Sequence, residues 1–263
     1  MARCRLKFVY DESAIVLSCA SGNAVAVGDL HVGNELRLRE RGINADISTD
    51  QMASRIKMIA KEFDAKRIIL LGDIKDTLLY PEKGELDALR RFFFHLDGYG
   101  LDIVLGNHDA HFTELFPVRQ GQMHRELILE NVTLLHGNRW PTEEGMMSDY
   151  IITAHNHVAV SVKDSNEKIY REKAWLVSDL NPGEAGKRYT SFNPKAKLVV
   201  MPAFNEMITG TPVNDRRIAS ISPLIRNRIF DMESSKIYSM QGEMLGTVGS
   251  FPGAPKIRKG AKY

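Results

Sequence analysis

The sequence predicts an α/β fold whose second half is mostly β. Three observations carry this. Short apolar runs alternate with segments whose apolar residues recur at helical spacing, the pattern of βαβ units. Five of those runs are each followed by a motif drawn from Gly, Asp, Asn and His. Beyond Val132, strand-like runs succeed one another with short connections.

Taken in order, residues 24–27 read as a strand that ends in Gly28-Asp29-Leu30-His31. Thr49-Asp50 is a helix N-cap signal, and Met52, Ile56, Ile59, Ala60 and Phe63 then form one apolar face over residues 52–63. Residues 68–71 are a strand leading into Gly72-Asp73-Ile74-Lys75-Asp76. Residues 85–96 are a helix with Leu86, Leu89, Phe92, Phe93 and Leu96 on its core face. The strand 103–105 precedes Gly106-Asn107-His108-Asp109, and the strand 132–135 precedes His136-Gly137. The strand 150–153 comes just before His155-Asn156-His157. Residues 126–129, 158–162, 173–177 and 198–201 are further strands. Residues 181–194, rich in Gly, Asn, Ser and Pro, read as a loop, and 237–248 as a hairpin turning near Gln241-Gly242-Glu243.

The chain has 263 residues, 43% hydrophobic and 26% charged, an ordinary globular balance. It contains no run of about eighteen apolar residues, which excludes a typical membrane helix, and its charged N-terminus lacks an apolar signal core. Cys4 and Cys19 sit in no paired metal or redox spacing. They read as reduced thiols of a cytoplasmic protein, with a Cys4–Cys19 bridge as the alternative. Net charge is +2, but residues 216–263 hold nine Lys or Arg against three Asp or Glu, a local +6 on a remainder of −4. That division suggests a catalytic domain over 1–215 and a basic extension over 216–263, hairpin included, packed on the core and frayed at its end. The basic segment, with Arg216, Arg217, Arg226 and Arg228, is either a groove for successive phosphates or a solvated tail.

Side chains at the carboxyl ends of neighbouring strands converge on one crevice, the usual ligand site of an α/β sheet. Asp, His and Asn gathered there offer oxygen and imidazole ligands suited to divalent Mn, Fe, Zn, Co or Ni. Asp29 and His31, like His155 and His157, are two residues apart, and on an extended segment both would leave the same face. One Asp-x-His means little, because surface loops produce it freely. Five motifs in order, each behind a strand, are another matter.

Those five motifs, Asp29-x-His31, Gly72-Asp73-x-x-Asp76, Gly106-Asn107-His108-Asp109, His136 and His155-x-His157, resemble the calcineurin-like metallophosphoesterase superfamily. The phrase Val199-Val200-Met201-Pro202-Ala203-Phe204-Asn205 resembles the SbcD-related, ICC-like phosphoesterases of archaea and bacteria. The resemblance implies a four-layer sandwich of two mixed β-sheets flanked by helices. It implies two divalent metal ions, manganese first. Asp29, His31 and His157 would hold one ion and Asn107, His136 and His155 the other, with Asp73 bridging. His108 would act at the scissile phosphate as a general acid or hydrogen-bond donor, and Asp109 would orient it. Two sequence departures stand out: Thr77 follows Asp76 where the family often has Arg, and Ala154 precedes His155 where Gly is usual.

The function expected is phosphodiester hydrolysis by metal-hydroxide attack on nucleic acid or nucleotides, with single-stranded DNA or RNA among the substrates, no membrane, and a protein partner in nucleic-acid processing. The rivals are a phosphomonoesterase or pyrophosphate-type hydrolase of a small metabolite, and a non-catalytic scaffold of the same fold. His95 and His124 match no motif and read as structural. His111 is either structural or part of the site wall. Glu35 and Arg37 either face the cleft or belong to a helix beginning at Asn34.

Overall fold

Strand β4 (Arg67–Leu71) shows how the layers arise. Its side chains alternate, as strand geometry requires. Ile68 and Leu70 enter one core, and Ile69 and Leu71 enter another. A strand buried on both faces reads as a continuous apolar run, which is why residues 68–71 were legible.

The computed structural model describes residues 3–42, 49–115, 121–214 and 222–251. Arg216 and Arg217 lie outside them. The chain opens with the meander β1 (Arg5–Phe8), β2 (Ala14–Cys19) and β3 (Gly22–Val27). Helices α1 (Asn34–Glu40) and α2 (Thr49–Glu62) precede β4, α3 (Lys83–His95) precedes β5 (Gly100–Val104), and α4 (Phe112–Leu115) precedes β6 (Gly121–His124). These six strands form one sheet in sequence order, antiparallel from β1 to β3 and parallel from β3 to β6.

The second half supplies β7 (Leu127–Leu129), β8 (Val132–Leu134), α5 (Glu143–Met146), β9 (Tyr150–Thr153), β10 (Val158–Lys163), β11 (Ile169–Lys173), β12 (Trp175–Asp179), α6 (Pro182–Ala185), β13 (Lys197–Val200), β14 (Thr211–Pro212), α7 (Pro223–Arg226), β15 (Lys236–Tyr238) and β16 (Met244–Thr247). Seven of these strands make a second sheet in the order β16-β15-β12-β13-β9-β8-β7, and β11-β10-β14 make a small third one. The hairpin expected at 237–248 is therefore the outer edge of the second sheet, with β15 hydrogen-bonded to β12.

Three apolar cores separate four layers. Met52, Ile56, Ile59 and Ala60 of α2, with Leu89 and Phe92 of α3, pack on Val25, Val27, Ile68, Leu70 and Ile103 of the first sheet. Ile15, Leu17, Ile69 and Leu71 meet Leu134, Ile152, Trp175 and Val199 between the sheets. Met146, Ala185, Leu224 and Ile225 of the short helices cover Ile151, Leu176, Leu198 and Val200 on the far face of the second sheet. No helix of the described residues is long and apolar enough to cross a membrane.

Cys4 and Cys19 form a disulfide, which corrects the expectation of reduced thiols. The register explains it. Arg5 pairs with Ser18 across β1 and β2, so Cys4 is brought opposite Cys19. The alternation Arg-Leu-Lys-Phe of β1, with its charged residues outward, hid this edge strand in the sequence.

Candidate metal centre

The carboxyl ends of β3, β4, β5, β8 and β9 deliver the sequence-selected residues to one place. Ligand atoms of Asp29, His31, Asp73 and His157 lie within 4.8 Å of one another, and so do those of Asp73, His136 and His155. Asp73 belongs to both groups. Nε2 of His136 lies 3.3 Å from Asp73 Oδ1, 3.2 Å from Asn107 Oδ1 and 3.1 Å from His155 Nδ1. Nε2 of His157 is 3.3 Å from Asp29 Oδ1, and Nε2 of His31 is 3.8 Å from Asp73 Oδ2.

The backbone reaches this arrangement differently from the extended segments that the two-residue spacing suggests. Asp29 and His31 do not lie on an extended segment. Their φ values are +55° and +43°, and Asp73, His155 and His157 sit at +49°, +68° and +43°. All five occupy the left-handed region, uncommon outside glycine but enriched in Asp, Asn and His. Convergence comes from tight reversals at strand ends, not from period-two alternation. Such conformations cost free energy and persist where the surroundings enforce them.

The donor set fits two divalent cations. It combines two buried carboxylates, four imidazoles and one amide oxygen, and Nε2 of both His31 and His157 is buried without a hydrogen-bond partner. The electrostatics agree. Burial would raise the Asp29 carboxyl, but the charge and close contact of His157 and the charge of His136 together outweigh it and hold the group below its ordinary range. Asp73 is depressed too: burial opposes this, and the hydrogen bond and charge of His136 overcome it. Burial would lower His136, yet Asp73 and then Asp29 push it up to about 9. His155 falls to about 4, through burial and the neighbouring His136 charge.

No protein-family model matches the chain, and no curated protein does. The solved structure of nuclease MPE from Pseudomonas putida superposes with a TM-score of 0.58 at 16% identity, covering 91% of this chain and 98% of that one. The chain shares its overall fold with that nuclease. A conserved uncharacterized protein from Streptococcus pneumoniae, a predicted phosphoesterase, overlays more loosely, with a TM-score of 0.30 at 11% identity over 89% of this chain and 94% of that one.

Within this fold, His108 flanks the shared carboxylate. Its Nε2 is 3.9 Å from Asp73 Oδ2, and its backbone N–H donates to Asp73 Oδ1 at 2.9 Å. Asp109 does not orient the His108 ring as expected. Its carboxylate accepts the backbone N–H groups of Gly106 at 2.8 Å, Ile74 at 2.9 Å and Lys75 at 3.4 Å. It ties the third motif to the second. The ring is held instead by the carbonyl of Asp76, 2.6 Å from Nδ1. Asp76 also gathers His31 Nδ1 at 3.5 Å, Asn34 Nδ2 at 3.0 Å and Arg37 Nε at 3.1 Å. Arg37 thus brings a guanidinium to the second motif from α1, which does begin at Asn34, and Thr77 donates to Glu85 at 2.8 Å.

The roles of Asn205, which ends the phrase Val199–Asn205, and of Lys173 are not legible in the sequence. Asn205 donates its side-chain amide to Leu30 O at 2.8 Å, and Phe204 N–H donates to Gly28 O at 2.9 Å, so this segment underpins the first motif. Lys173 holds it in turn, through Ala203 O and through Asn205 O at 2.8 Å. Only tertiary contact reveals such roles. His124 pairs with Asp102 at 2.8 Å and His95 approaches Asp50 at 3.5 Å, so both are structural. Arg226 and Arg228 are exposed on the layer outside the second sheet. A cavity of about 480 Å³ lined by Phe8, Tyr150, Trp175 and Tyr238 opens at the other end of β9, away from the ligands.

Proposed function

We propose that this chain is a dinuclear metal-dependent phosphoesterase acting on phosphodiesters of nucleic acid or nucleotides. The observation that supports it best is the pair of ligand groups sharing Asp73, with His108 beside the shared carboxylate. Asp29, His31, Asp73 and His157 would hold one cation, and Asp73, Asn107, His136 and His155 the other. When bound, two such ions supply charge to the nonbridging phosphate oxygens and lower the pKa of coordinated water.

The chain's own contribution is positioning and a proton. A carbonyl oxygen only accepts, so the 2.6 Å contact to Asp76 O places the proton of His108 on Nδ1. Nε2 is then left to face the substrate. In the protonated ring it donates to the departing oxygen, and in the neutral ring it accepts. Asp109, Asp76, Asn205 and Lys173 tie together the motif loops that carry the ligand atoms. The same fold serves a nuclease in Pseudomonas putida, which adds weight to a diester substrate.

The test is a manganese-loaded activity panel of bis-p-nitrophenyl phosphate, p-nitrophenyl phosphate, 2′,3′-cyclic nucleotides, and single-stranded DNA and RNA, with metal content measured on the same samples. Diester hydrolysis with two ions per chain is expected. Preference for the monoester would point to a small metabolite, and two bound ions with no hydrolysis of any substrate to a scaffold.

A further inference from the structure

Three consecutive apolar side chains stand in water beside the ligand cluster. Leu78, Leu79 and Tyr80 are 56%, 74% and 59% exposed, in the loop that leaves Asp76. Single exposed apolar residues are normal. These three are unusual because their loop is firmly held. Lys75 is fully buried, and its ammonium donates to Thr77 O and, at 2.7 Å, to Leu79 O. Glu85 accepts the backbone N–H of Asp76 at 2.8 Å and of Thr77 at 3.0 Å. A buried ammonium is costly unless it is hydrogen-bonded, and here its bonds fix the course of an exposed loop.

The Tyr80 ring is supported from behind. It stacks on His111 with centroids 4.4 Å apart and planes 21° from parallel, and its hydroxyl donates to Glu114 at 3.2 Å. His111 follows His108 by three residues, and Tyr80 follows Asp76, whose carbonyl holds His108, by four. The stacked pair therefore grows from the two segments that position the proton-carrying ring. No Lys or Arg lies between Thr77 and Pro81, so the loop offers a π-face and apolar shoulders rather than a phosphate contact.

We infer that Tyr80, backed by His111 and flanked by Leu78 and Leu79, is a stacking platform for a nucleobase next to the scissile phosphate, which makes single-stranded nucleic acid the substrate class. This rests on the phosphoesterase reading above. An unpaired base can lie on such a face whatever its identity, whereas a base inside a duplex presents no free face. Cleavage should therefore show weak sequence preference and strong preference for single strands.

The test compares wild type, Tyr80→Ala and Tyr80→Phe on a single-stranded hexanucleotide and on a hexamer of the same backbone with abasic residues. Tyr80→Ala should raise KM for the hexanucleotide about tenfold to a hundredfold with little change in kcat. Tyr80→Phe should stay near wild type, because the ring face matters and the hydroxyl does not. The abasic hexamer should show no such KM difference. An unchanged KM in Tyr80→Ala, or an equal rise on the abasic hexamer, overturns the platform. Should wild type hydrolyse neither oligomer, the nucleic-acid form of the phosphoesterase reading fails. The platform is then judged by the fluorescence of a 2-aminopurine hexamer, which should be quenched by wild type and by Tyr80→Phe but not by Tyr80→Ala. Equal quenching by all three, or none by wild type, rejects it.

Discussion

A Cβ placed on Gly28 would lie 2.7 Å from the Cβ of Ala154, and 3.1 Å from the carbonyl oxygen of Leu71. The methyl of Ala154 thus occupies the space that Gly28 leaves open, one residue before Asp29 on one side and His155 on the other. Gly28→Ala should destabilise the protein by about 1–3 kcal/mol, the usual cost of overpacking, and weaken cation binding. Adding Ala154→Gly should recover part of the loss, since the Leu71 contact remains. Thermal melts of the two single variants and the double variant give the coupling. Additive effects would show that the two methyl groups do not compete.

Asp73→Asn should cost more activity than Asn107→Ala. Asp73 is the one side chain common to both ligand groups, so its charge is lost to both. The expected fall exceeds about a hundredfold, the cost of losing even an outer partner of a metal ligand. Metal stoichiometry should drop from two ions in Asp73→Asn, while Asn107→Ala mainly weakens one. Two ions and near-normal turnover in Asp73→Asn would remove Asp73 from the shared position.

His108→Asn should leave cation content intact and impair turnover according to the leaving group. Proton donation is worth about 10²–10⁴-fold where the departing oxygen needs a proton. An alkoxide needs one and p-nitrophenolate hardly does. Kinetics on an oligonucleotide and on bis-p-nitrophenyl phosphate separate the cases, and equal defects would mean that His108 positions substrate rather than protonating it.

The metal-free protein should lose stability as pH rises. His136 is lifted from 6.5 to about 9 by Asp73 and Asp29, against the effect of burial. A group raised on folding contributes stability that is complete below its unfolded value and vanishes as pH climbs through its folded one. Tm of the metal-stripped chain should therefore decline between pH 6.5 and about 9, and His136→Gln should flatten that decline. Cation loading must expel the same proton, so apparent affinity should grow with pH across this window. A Tm independent of pH there would contradict the His136–Asp73 charge pair.

Cys4→Ser should lower stability by about 2–4 kcal/mol, the typical contribution of a disulfide, without changing turnover. The bridge spans a sequence separation of 15 and lies where β2 turns into β3, at the end of the sheet opposite Asp29. Denaturant midpoints with and without reductant measure it. A reductant effect that persists in Cys4→Ser would have another origin.

Much of the site was legible because its residue types are rare in combination and each motif ends an apolar strand. Asp73 and His136 could be assigned to one centre from order alone. What stayed hidden depends on contacts distant in sequence. Asn205 reaches Leu30 across 175 residues, and the phrase that contains it does not reveal that contact. Asp109 looked like a partner for its neighbour His108, but one of its oxygens accepts from Gly106 N–H and the other from Ile74 and Lys75, which β4 brings alongside. Edge strand β1 alternates charged with apolar residues and edge strand β11 ends in three consecutive charges, so neither gives a clear apolar run. Cys4 and Cys19 carried no spacing signal, because a cross-strand neighbour is set by hairpin length rather than by motif.

The left-handed ligand positions bear on how this centre tolerates change. Alanine at Asp29, His31, Asp73, His155 or His157 would suffer a backbone penalty of about 1–2 kcal/mol in addition to the missing ligand. Asparagine meets the same φ with little strain. An alanine scan would then exaggerate the chemical worth of each ligand, and an asparagine scan would isolate it. The same filter acts on any drift of the sequence. The side chains that these reversals admit most readily are glycine, asparagine, aspartate and histidine, and three of the four carry a metal-ligating atom. The shape of the loops thus keeps the pool of acceptable replacements rich in ligands, whatever cation the centre comes to serve.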